Sequence, residues 1–86
     1  MQADTLDLSP EQALAPVDEL AVEALLSPRT LTALRRRFPR GSGLFLLTGS
    51  GELFFDPGRG MALFLLTCLD PKLAREVPRL SRAELH

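Results

Sequence analysis

Hydrophobic residues follow a helical rhythm up to about residue 42 and then collapse into short unbroken runs. Ser9-Pro10-Glu11-Gln12 puts a capping serine before a proline, with Gln12 placed to close a capping box, so a helix is expected to open there. Pro16 removes a backbone donor and predicts a kink or a fresh start. From Pro16, Val17, Leu20, Ala21, Ala24 and Leu25 recur with a period near 3.6, while Asp18, Glu19 and Glu23 fall on other faces. This is the pattern of an amphipathic helix with its acids near the N-terminus, where the helix dipole favours them. Ser27-Pro28 repeats the cap-then-proline signal and opens a second helix whose inward stripe is Leu31, Leu34 and Phe38. Pro39 and Gly41 end it, and Arg35, Arg36 and Arg37 crowd its last turn.

Beyond Gly41-Ser42-Gly43 the period shortens. Residues 44–48 and Glu52–Asp56 flank Gly49-Ser50-Gly51 and read as a hairpin with a short glycine turn. Asp56-Pro57-Gly58-Arg59-Gly60 is a second turn, with proline presetting one central position and glycine supplying a positive φ at the next. Residues 61–69 then read as a third strand, although Met, Ala and Leu also suit a buried helix and periodicity alone does not separate the two. Asp70-Pro71 opens a short helix carrying Leu73, Ala74 and Val77, and Ser81 to Glu84 has capping-box form. The expected class is α+β: N-terminal helices, a three-stranded antiparallel β-meander and a short C-terminal helix. It forms one small domain over residues 1–86, with 1–8 and 78–86 as flexible ends.

The strands do not alternate. Leu44 to Leu47, Leu53 to Phe55 and Met61 to Leu66 offer apolar side chains to both faces, as strands do in a sheet covered on both sides. Two arrangements remain open: helices straddling the sheet, or one bare apolar face available as a contact surface.

An 86-residue chain buries only about 60–65% of its unfolded surface, so its stability is modest unless something supplements the core. A disulfide within the chain is excluded, because Cys68 is the only cysteine; good packing or self-association remains as the supplement. Cys68 stands in an apolar run, is expected to be a buried inert thiol, and has only His86 in the chain as a prospective base. One Cys and one His do not make a metal set, and no pair of carboxylates is placed for acid–base work, so no catalytic residue, metal or cofactor is expected and the chain is read as a non-enzyme. Gly49-Ser50-Gly51 and Gly58-Arg59-Gly60 each lie between strands, where turn chemistry rather than a phosphate loop is the better account. The apolar runs are far short of the ~20 residues that cross a bilayer, and residues 1–7 hold two aspartates and no cation, unlike a secretory leader. With the lone thiol, this points to a cytoplasmic protein without a membrane partner, and no small-molecule substrate is inferred.

Charge changes the picture more than composition does. The net charge is −1, yet residues 1–28 carry six acids and no base, and residues 29–40 carry five arginines and no acid. The two segments either neutralise each other or mark a charged binding face. On the second helix Arg29, Thr32, Ala33 and Arg36 oppose the apolar stripe, with Arg35 and Arg37 flanking. A helix, a Ser-Pro step, a helix with a basic outer face and a hairpin over residues 16–56 resemble a winged helix-turn-helix. That resemblance implies nucleic-acid binding through Arg29, Thr32, Arg35, Arg36, Arg37 and Arg40, with residues 44–55 as the wing. The order of helix, meander and helix also resembles a roadblock-type, profilin-like domain, with residues 43–56 as its hairpin and 61–77 as its final strand and following helix. This second resemblance implies dimerisation through the sheet and, often in that family, regulation of small GTPases. The leading expectation is a non-catalytic protein-interaction module, a homodimer or a subunit docking on another protein. Its contacts are expected at Leu44, Leu46, Phe54, Phe64 and Leu66, and nucleic-acid binding is the alternative.

Overall fold

The computed structural model describes residues 13–58 and 60–80. Along the chain these form β1 (Ala15–Val17), α1 (Glu19–Glu23), α2 (Pro28–Arg37), β2 (Leu44–Leu47), β3 (Glu52–Asp56), β4 (Phe64–Cys68) and α3 (Pro71–Glu76). The α+β class stands, but the sheet has four antiparallel strands in the order β1-β2-β3-β4, one more than the expected meander. The helix starting at Ser9, the capping pattern at Ser81 and the flexible ends at 1–8 and 81–86 lie outside the described residues.

The extra strand comes from the segment around Pro16. A proline biases the residue before it towards extended backbone, and one without an N–H is tolerated in an edge strand. Ala15, Pro16 and Val17 therefore pair with Leu47, Leu46 and Phe45 instead of opening a helix. Asp18 caps α1 by accepting from the Ala21 amide at 2.9 Å, and the helix is only five residues long. Its phase shifts accordingly. Val22 is buried and Leu26, just beyond α1, joins it in the core, whereas Leu20, expected inside, is 64% exposed.

The other caps fall where the sequence puts them. Ser27 accepts from the Thr30 amide and Pro28 takes the first helical position of α2; Asp70 accepts from the Lys72 amide and Pro71 opens α3. Gly51 ends the β2–β3 turn at φ +107°, and its carbonyl accepts from the Leu69 amide at 2.7 Å. A Cβ at Gly51 would overlap the Leu69 backbone, so only glycine lets this turn close against the end of β4. Gly58 supplies the positive φ of the second turn. The third expected strand is shorter than residues 61–69: β4 begins at Phe64, leaving Met61, Ala62 and Leu63 exposed before it.

Val17, Phe45, Leu47, Leu53 and Phe55 share one sheet face and join Val22, Leu26, Leu34, Ala74 and Val77 in a single buried cluster. The three helices among the described residues thus lie on that face. Residues 78–80, expected to be flexible, line the outer edge of β1: the Asp18 amide donates to the Pro78 carbonyl and the Leu80 amide to the Pro16 carbonyl, each at 3.0 Å.

Candidate functional site: a bare sheet face and an arginine helix

Alternation along the strands places Pro16, Leu44, Leu46, Phe54 and Leu65 on the face opposite the helices, where the register pairs Pro16 with Leu46, Leu46 with Phe54 and Phe54 with Leu65. Leu65 is 57% exposed and Leu44 39%, while Leu46 and Phe54 are half-buried. Glu52 and Asp56 stand at the two ends of β3 on this same face and give the apolar strip a charged margin. Of the five contact residues expected from sequence, Leu44, Leu46 and Phe54 come together here. Phe64 and Leu66 do not: both pack against the buried cluster, and the Phe64 ring sits 5.8 Å from that of Phe38. A register shift between Leu53 and Phe54 sets the phase of β4. Leu65 is the residue the sequence reading missed, because an unbroken apolar run gives no sign of which side chain faces outward. Cys68, expected to be buried, is exposed at the end of β4, opposite Glu52.

The charge switch resolves in part within the molecule. Arg35 Nη2 donates to Glu19 Oε2 at 2.6 Å and also to Glu23 Oε2. Arg40 grips Glu23 with two contacts, Nη2 to Oε1 at 2.6 Å and Nε to Oε2 at 3.0 Å. The Arg35 guanidinium also lies 5.6 Å over the Phe45 ring and donates to the Phe38 carbonyl. The Arg40 hydrogen bonds lead in holding the Glu23 carboxyl below its usual range; desolvation opposes them, and Arg35 adds to the lowering. Glu23 in turn raises Arg40.

Two of the six residues of the nucleic-acid alternative are therefore committed to carboxylates. The rest divide. Arg29, Thr32 and Arg36 line one shallow exposed cleft on α2, and Arg37 stretches over the rings of Phe38 and Phe64 at 5.5 and 5.9 Å. Among the described residues there is no cluster of three or more His, Cys, Asp or Glu side chains suited to a metal, and no helix is long and apolar enough to cross a membrane. No family model, curated protein or solved structure matches the chain.

Proposed function

We propose that the chain is a non-catalytic interaction module that self-associates through the bare face of its sheet. The observation that carries this reading is the apolar strip formed by Leu44, Leu46, Phe54 and Leu65 on the side away from every described helix. An identical partner suits the strip because it is apolar at its centre and acidic only at its margin, so two copies meet without burying a charge. Strand spacing near 4.8 Å and a rise near 3.3 Å per residue give the face a footprint of roughly 300 Å². Stable interfaces bury roughly 800 Å² per partner, so exposed Leu63 and Met61, ahead of β4, would extend the contact. Association is accordingly expected to be reversible, with a dissociation constant in roughly the micromolar range.

The test is Leu65→Asp, read by sedimentation velocity and thermal melting. The variant should stay monomeric at concentrations where the parent dimerises, without losing its cooperative melt. A parent that is monomeric throughout the concentration series would end the proposal.

Nucleic-acid binding has less support: Arg35 and Arg40 are already paired, which leaves Arg29, Arg36 and Arg37 as the cations open to solvent on α2.

A further inference from the structure

A second surface, carried by different observations, lies at the other margin of the sheet. β4 is the end strand, and no described strand pairs with its outer edge. Natural edge strands are usually guarded by charge, proline or a covering segment. The β1 edge is covered by residues 78–80, but residues 60–69 contain neither a charge nor a proline. Alongside β4, a groove of about 380 Å³ opens against α2, floored by Leu34, Phe38, Phe64 and Leu66. Arg29 and Arg37 line it, the Arg37 guanidinium lying over the Phe38 and Phe64 rings, and no acidic residue does. Neither arginine has a carboxylate partner among the described residues, whereas Arg35 and Arg40 do.

We propose that the β4 edge and this groove bind an extended acidic peptide segment, which adds to the sheet as a fifth strand and sets an apolar side chain against the leucines of the groove, Leu34 and Leu66. Main-chain hydrogen bonds to β4 give such a mode its affinity, and the groove gives it selectivity. Charge complementarity decides the partner. A second copy presenting the same edge would bring Arg29 and Arg37 against their own images, while carboxylates would neutralise them. Spacing narrows the sequence further. Arg29 and Arg37 are two helical repeats of four apart, about 12 Å along α2, a distance an extended chain covers in about four residues. The preferred segment thus has acids at positions i and i+4 and a large apolar residue at i+2, all three on one side of the strand.

The probe is a capped synthetic heptapeptide, Thr-Glu-Thr-Leu-Thr-Glu-Thr, titrated into the full chain by calorimetry, with backbone amide NMR shifts locating the contact. Binding should weaken as salt rises, perturb β4 and α2, and fall about tenfold for Arg37→Glu and again for Arg29→Glu. Ala33→Glu, an exposed substitution lining the same groove, should weaken it comparably and guards against a folding defect in the arginine variants. No binding at millimolar peptide overturns the proposal, as does equal binding of a peptide of the same composition with its acids and leucine placed consecutively. A change in oligomeric state on Arg37→Glu, with peptide binding unmoved, would give the groove to a second copy and also overturn it. Leu65→Asp monomerisation reads the sheet face separately, so failure of one proposal is distinguishable from failure of the other.

Discussion

Glu23 holds Arg40 with both of its oxygens and Arg35 with one. Its carboxyl titrates below the ordinary 4.5, so its stabilising contribution is fully present above that value and is lost as pH falls through the lower, folded-state value. Glu23→Gln should therefore destabilise the protein at neutral pH, and the gap between variant and parent should close in acid, once the carboxyl is protonated in the folded state as well. Urea denaturation at both pH values reads this, and a gap that persists in acid would mean the carboxylate charge is not what matters. Neighbouring residues on β4 give a sharper contrast. Phe64 packs on Phe38 from the helix side and Leu65 faces outward, so Phe64→Asp should cost about 3 kcal/mol or more, while Leu65→Asp should change stability by less than about 1 kcal/mol. Gly51→Ala combines a left-handed φ with a clash on the Leu69 backbone, and its expected cost is about 2 kcal/mol or more by denaturant melt. The residue types of this network were legible in the sequence as a jump from six acids to five arginines, but which pairs form was not. That depends on how α1 and α2 cross, and Glu19 and Glu23 come within reach of Arg35 only once the chain folds back at Ser27.

Elements announced by local chemistry were read well. α2 and α3 begin at Ser27-Pro28 and Asp70-Pro71, and the β2–β3 hairpin is set by its glycine turn; each signal acts within a few residues. β1 was misread because its evidence is remote. Three residues around Pro16 become a strand only through pairing with β2 and the cover of residues 78–80, and a periodicity count started at Pro16 sets Leu20 inward when it points out. Arg79 Nη1 donates to the Ala74 and Val77 carbonyls at 3.1 and 2.8 Å, closing the end of α3 while its backbone bridges to Val17. Arg79→Ala should lower stability by about 1 kcal/mol in a denaturant titration, and should speed hydrogen exchange in α3 and β1 before β2 and β3. Uniform exchange across all four strands would show that the segment does not hold the edge.

For the molecule as a whole, the placement of the helices matters most. Unbroken apolar runs showed that both faces of the sheet are hydrophobic, and left open whether helices cover one or both. The short α1 and the chain's return through α2 put the described helices together on one face, leaving Leu44, Leu46, Phe54 and Leu65 as a strip that no described helix covers. A domain this small gains from covering such a surface, and an identical strip on a second copy is a cover that buries no charge. Sedimentation velocity over a hundredfold concentration range, for the parent and for Leu65→Asp side by side, tests this most directly. The account predicts a monomer–dimer shift in the parent that the variant lacks while retaining its fold; identical monomeric profiles for both, or a dimer that survives the aspartate, would contradict it.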